Sequence, residues 1–215
     1  MKKHIIQTHL LCLMAVLMSC SGQGTDNKET ASETCCCPPT ITLQPLGNFS
    51  KAEAEQLRAP FEAFLQRNAN YDAPIEINDP MPLQDEWKND AGTRYRADKI
   101  IKNGLKMATK DNFVIGILHP DISCTYKGRD DWGVQGLTLH GAHACVVSSF
   151  RVKNTQRDLW KVVAHEFVHS FFHYSHCPKD SVNCIIQDAK GRPRFADKQD
   201  LCGYCKAHVW DTYGK

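Results

Sequence analysis

His165-Glu166-Phe167-Val168-His169, continued by Ser170-Phe171-Phe172-His173-Tyr174-Ser175-His176-Cys177, is the stretch on which the reading of this 215-residue chain turns. Two histidines four apart on a helix share one face, so both imidazoles can point at a single ion. A glutamate directly after the first sits beside that ion without having to ligate it. This is the spacing by which one helix supplies two zinc ligands and a neighbouring base. Trp160, Val163, Phe167 and Phe171 recur at three- and four-residue steps. They predict an apolar stripe lying roughly opposite the two histidines, so one face packs while the other holds metal. Thr155 and Asp158 predict a capping-box-like start to the helix.

Upstream, Ile41-Thr42-Leu43 alternates as a short strand does, and Ser50 is placed to cap a helix running to about Asn68. Leu57, Phe61, Phe64 and Leu65 give that helix an apolar face, and Pro60 is expected to kink or split it. Pro74 to Ile77 reads as a second strand, and Thr93 to Met107 as a second helix. Phe113-Val114-Ile115-Gly116-Ile117-Leu118 is a continuous apolar run, the pattern of a strand buried on both faces. A polar loop follows, then two strand-like runs, Val134 to Leu139 and Ala142 to Ser149, and the histidine helix comes directly after them. Strands and helices in this order predict an α/β or α+β domain with helices against one sheet.

At the start of the chain, Met1-Lys2-Lys3 is a positive segment and Leu10 to Met18 a short apolar one, ending in Leu17-Met18-Ser19-Cys20. This is the form of a secretory signal, too short to span a bilayer. Its end resembles a bacterial lipobox, which implies cleavage before Cys20 and acylation of that cysteine. The expectation is a signal peptide over 1–19 and a polar tether over 20–40, with one domain over 41–215. The protein would then be an exported lipoprotein, held by its lipid at a membrane and facing the periplasm or the cell exterior. Cys35-Cys36-Cys37 within the tether has no assigned role. Without Lys2 and Lys3, the 26 basic residues fall to 24 against 24 acidic ones. That balance gives no footprint for nucleic acid.

Downstream of the histidines, His176-Cys177, Cys184 and Cys202-Gly203-Tyr204-Cys205 complete a pattern that resembles the archaemetzincins, zinc peptidases of the metzincin clan. Their pattern runs H-E-x-x-H-x-x-G-x-x-H-C, a second Cys, a nearby Met, then C-x-x-C. Ile41 to Gly47, Arg94 to Ile101, Val114 to Asp121, and Ala144 to Ser149 with Arg151 follow that family's order of segments. The resemblance implies a metzincin-like zincin domain. Its parts would be a twisted mixed sheet, an active-site helix and a cysteine-rich C-terminal segment bound to a structural zinc through Cys177, Cys184, Cys202 and Cys205. It also departs from the family at defined places. Phe172 stands where the family has its helix-ending glycine, and the usual third-ligand spacing lands on Ser175, one residue before His176. Six residues separate Cys177 from Cys184 where the family has four, and Ile186 takes the place of the methionine.

Two histidines compete for the third ligand position. His173 continues the four-residue series, whereas His176 immediately precedes the first cysteine. His176 is preferred because a tetrahedral site needs ligands from more than one direction. The four cysteines suit a closed tetrahedral zinc site; disulfides are the competing reading for an exported protein. Cys124 and Cys145, in or beside predicted strands, can pair or stay free. His119, His140, His143 and His208 are read as ordinary histidines. With Zn²⁺ at His165, His169 and His176, the open position takes a water whose pKa falls to about 7, and Glu166 is the general base for attack on a peptide bond. The strand near Val134 to Leu139 resembles the edge strand of the metzincins, which implies a sheet edge along which an extended peptide lies. The alternative function is a lipid-anchored binding or structural protein that uses metal for stability alone.

Overall fold

The computed structural model describes residues 39–71, 74–179, 181–189 and 195–213. The expected signal peptide and nearly all of the tether lie outside them, as do Cys35, Cys36 and Cys37.

The first strand, β1 (Thr40–Pro45), pairs in parallel with both β2 (Ile75–Ile77) and β4 (Asn112–Leu118). On the far side of β4 runs β8 (Ala144–Ser148), also parallel, and β7 (Gly136–Thr138) closes the order antiparallel to it. The five-stranded sheet is therefore β2-β1-β4-β8-β7, with β7 at an edge. A smaller sheet joins β3 (Tyr95–Arg96), β5 (Ile122–Tyr126) and β6 (Arg129–Val134).

Both faces of the main sheet are covered, which is why β4 reads as an unbroken apolar run. Ile41, Leu43, Phe113, Ile115, Cys145 and Val147 face α1 (Lys51–Ala69) and α3 (Thr155–Phe171). Val114, Ala144 and Val146 face the opposite way, onto Leu46, Trp87 and the Ile100–Gly104 turn that continues the short helix α2 (Ala97–Lys99). A last helix, α4 (Gly203–Tyr213), packs against α1. Among the described residues no helix is long and apolar enough to cross a membrane.

Several local expectations change. Pro60 lies inside one continuous α1. Leu57, Phe61, Phe64 and Leu65 are all buried beneath it, and that packing outweighs one missing backbone bond. At its start Ser50 accepts from the Glu53 N–H at 3.2 Å while the Glu53 carboxylate accepts from the Ser50 N–H at 2.8 Å. At α3 the cap is Asn154, whose side chain accepts from the Arg157 N–H at 3.1 Å. Asp158 is instead buried, paired with Arg157 and with Lys161. The loop expected after Leu118 contains the β5–β6 hairpin, and the run Val134 to Leu139 is divided between two sheets. Thr93 to Met107 begins as strand β3, so its helical part is short.

Asp121, only 8% exposed, joins the two sheets. It receives a two-pronged contact from Arg151, at 2.7 Å to each oxygen, and a third bond from Arg94, also at 2.7 Å. Burial pushes its carboxyl upward, and the two guanidiniums overcome this and hold it below the ordinary carboxylate value. Asp121→Ala leaves two guanidiniums without their acceptor. Since both are about a third exposed, the expected loss is about 2–3 kcal/mol, less than for a fully buried pair. The depressed pKa means that the unfolded chain takes up the proton first as pH falls. The stabilisation is thus complete above about pH 5 and lost as pH drops through the folded-state value. Denaturant unfolding of both proteins at several pH values checks this: their stabilities should converge in acid.

Candidate metal centres

Helix α3 carries His165 and His169 on one face because its other face is committed to the core. Phe167 packs edge-on against Phe61 and Phe113, with ring centroids 5.4 and 5.0 Å away, and stacks with Phe171 at 4.7 Å. Two backbone carbonyls then set the imidazoles. The Ile185 carbonyl accepts from Nδ1 of His165 at 2.8 Å, and that of Tyr174 accepts from Nδ1 of His169 at 2.6 Å. A carbonyl can only accept, so each Nδ1 holds the proton and each Nε2 presents a lone pair.

Those two Nε2 atoms face each other 3.0 Å apart. Two lone pairs this close repel, and a cation between them removes the repulsion. Zn–N bonds of 2.0–2.1 Å in a tetrahedron place neighbouring nitrogens about 3.3 Å apart, so the geometry fits zinc with little adjustment. Burial drives the pKa of His165 down to about 3 and of His169 to about 4, keeping both neutral as ligands must be.

His176 comes from a third direction. Its ring lies 4.7 Å from that of His169 and 5.5 Å from that of His165, and one ligand nitrogen from each of the three falls within 4.8 Å of the others. His173 stands apart from this group, stacked on His140 at 6.1 Å. It does something else: it adopts φ 50°, the left-handed conformation that turns the chain after the helix, while Phe172 caps α3 at φ −90°. The turn is therefore taken one residue later than a glycine at 172 would take it. The third histidine is shifted by the same one residue.

Glu166 lies beneath the edge strand. Thr138 donates its hydroxyl to the Glu166 backbone carbonyl at 3.0 Å and to the carboxylate at 3.2 Å. Desolvation raises the Glu166 pKa to about 7, with the Thr138 bond opposing the shift. Gly136 makes the crossing possible, because a Cβ there would come within 2.5–2.7 Å of three atoms of the Glu166 side chain.

The four C-terminal thiols form a second group. Cys177, Cys184, Cys202 and Cys205 bring their sulfurs within 4.8 Å of one another, and all four are free. The Sγ atoms of Cys177 and Cys202 are 3.7 Å apart. A disulfide needs about 2.05 Å, whereas Zn–S bonds of 2.3 Å in a tetrahedron give edges of about 3.8 Å. Backbone donors support the sulfurs. The N–H of Cys202 points to Cys184 Sγ at 3.3 Å. Burial pushes the Cys177 thiol up, but hydrogen bonds from the Ser181 and Lys179 N–H groups, together with those of Cys205 and Cys202, bring it down to about 7. The segment is fastened to α1 through Asp200, which accepts from Arg67 at 3.0 Å and Asn68 at 2.9 Å. Cys124 and Cys145 are unpaired and buried.

Solved structures share this architecture. An archaemetzincin from Methanopyrus kandleri superposes with a TM-score of 0.68 at 16% identity, covering 83% of this chain and 97% of its own. The fold is that of the archaemetzincins. An Archaeoglobus fulgidus archaemetzincin complexed with malonate matches at TM-score 0.55 and 21% identity, over 79% of this chain and 99% of its own. A zinc-dependent peptidase from Methanocorpusculum labreanum matches at 0.60 and 17%, over the same shares. No family model matches the sequence, and no curated protein matches it.

On the archaemetzincin fold, the structure gathers His165, His169 and His176 in one place, Cys177, Cys184, Cys202 and Cys205 in another, and Glu166 under β7. Gly136, Thr138, Tyr174 and Ile185 also build the site, and no sequence spacing singles them out. Two of them act through backbone carbonyls, which any residue supplies. Gly136→Ala should push β7 off Glu166 and cost about 1–3 kcal/mol through overpacking. Thermal unfolding of the variant beside the unaltered protein checks this.

Proposed function

We propose that the chain is a zinc-dependent metallopeptidase that hydrolyses peptide bonds, with Glu166 as general base. The observation that carries this reading is the pair of Nε2 lone pairs converging at 3.0 Å with His176 beside them and a carboxylate of raised pKa one residue along the helix. The archaemetzincin and zinc-dependent peptidase neighbours support it.

His165, His169 and His176 would hold the catalytic zinc, and the four cysteines a structural one. Bound there, zinc acidifies a water and polarises the carbonyl to be attacked. The protein's own groups do the rest. Glu166, half-buried and steadied by Thr138, accepts the proton of the attacking water and returns it to the leaving amine, a cycle that a carboxyl near neutrality can run in both directions. Strand β7, paired in the sheet on one side only, offers main-chain groups to an extended peptide, which would lie as a further strand over the carboxylate. The lipobox-like segment ending in Cys20 supports an exported protein anchored to a membrane by lipid, with the domain reaching its peptide or protein substrates from a tether.

Metal analysis is expected to give two zincs per chain. His176→Ala should lose one of them and His173→Ala neither, and a reversed result would move the third ligand to His173. On a peptide library, Glu166→Ala should lower the rate by about 10²–10⁴ while retaining both zincs. Equal rates would remove the base assignment and favour the metal-stabilised binding protein.

A further inference from the structure

Each of the three imidazoles is held by a residue tied to one of the four thiols. His176 precedes Cys177. The Ile185 carbonyl that fixes His165 follows Cys184, and the neighbouring Ile186 carbonyl accepts from the Cys177 N–H at 3.0 Å. The third tie is a single side chain. Tyr174 fixes His169 through its backbone carbonyl at 2.6 Å, while its hydroxyl donates to Cys205 Sγ at 3.6 Å. Its half-buried ring stacks on His208 of α4 at 4.3 Å. One residue thus touches a ligand of each group.

We propose that Tyr174 is a positioning residue that couples the two metal centres, so that filling the four-cysteine site tightens metal binding at the three histidines. The inference rests on the two-zinc reading above. With the sulfurs gathered, Cys205 gives the tyrosine hydroxyl a fixed acceptor. The fixed ring holds the 174 carbonyl where His169 must donate Nδ1–H, and the Nε2 lone pair stays aimed at His165. With the thiols apart, the ring, the carbonyl and the imidazole lose their common reference. Partners that orient a metal-bound imidazole typically account for 10–100-fold in affinity. Coupling between binding sites is reciprocal, so the histidine site must tighten the cysteine site by the same factor.

The test is a titration of the full chain, stripped of metal, with Co²⁺. Thiolate-to-cobalt charge-transfer absorption reports the cysteine site, and ligand-field bands without charge transfer report the histidine site. Tyr174→Phe removes the hydroxyl and keeps both ring and carbonyl. It is expected to weaken the histidine site about tenfold and to reduce the mutual dependence of the two sites, which keep their ties through His176–Cys177 and through Ile185. Tyr204→Phe, at an exposed ring beside the same cysteine, should leave both affinities unchanged. Equal histidine-site affinity in the unaltered chain and Tyr174→Phe overturns the proposal. Two sites that fill independently in the unaltered chain overturn it as well, and that result needs no variant to fold. A histidine site that takes no Co²⁺ at any concentration overturns the metallopeptidase reading along with it, and the absent ligand-field bands tell the two failures apart.

Discussion

Two backbone carbonyls, of Ile185 and Tyr174, hold the protons of His165 and His169 on Nδ1, and this choice of tautomer governs the site. Had either ring turned over, one Nε2 would carry a proton and the 3.0 Å approach would be an ordinary hydrogen bond. As built, it is a pair of lone pairs waiting on a positive charge. Burial enforces this by making imidazolium costly at both positions. The helix could present its histidines in this way only because the opposite face is locked. Phe167, buried among Phe61, Tyr71 and Phe113, leaves α3 no freedom to rotate about its axis.

The parallel sheet supplies the other half of the arrangement. β8 runs beside β4 and turns directly into α3, so the helix lies across the sheet with its first turn pinned by Asn154 and by the Asp158–Lys161 pair. Lys161, almost wholly buried, extends the same fixture. Its ammonium donates to the carbonyls of Phe195 at 2.7 Å and Ala196 at 3.3 Å, and the Phe195 ring stands edge-on to His165 at 6.2 Å. The antiparallel β7 returns over Glu166, and the missing Cβ at Gly136 sets the depth of that crossing.

Much of this was legible from residue order. The unbroken apolar run at 113–118 marks a strand covered on both faces, and the alternation of Ile41 and Leu43 marks its neighbour. The histidine helix declares itself by spacing and stripe together. What stayed hidden has a physical reason in each case. Arg129 to Trp132 is exposed and mostly charged, so β6 has little hydrophobic signature; backbone pairing with β5 and the left-handed Lys127-Gly128 turn make it. The division of 134–139 between two sheets turns on Gln135, whose carbonyl accepts from Ser148 while its side chain donates to the Arg151 carbonyl. Asp158 looks like a capping partner by its position, but a charge buried beside Lys161 is better used as a counter-ion than as a cap. No motif records a carbonyl, so neither Ile185 nor Tyr174 could be found by residue type.

The departures from the archaemetzincin pattern are best understood as one change of phase. A glycine at 172 would end the helix there. Phe172 is instead buried at 3% exposure, packed edge-on against Phe167 and Phe171, and its size repays an extra residue of helix-like backbone before the turn. The left-handed step then falls on His173, where a non-glycine residue must bear it. Everything beyond is displaced by one, His176 and Cys177 together, so the spacing between histidine and thiol is preserved. The longer gap to Cys184 takes up the remaining slack, closing through the 3.0 Å bond from Cys177 to Ile186. That bond, and the neighbouring one from His165 to Ile185, use main-chain oxygens. A methionine at 186 is therefore dispensable for holding the imidazole, provided the residue is apolar and buried. Ile186, with no exposed surface, meets that condition.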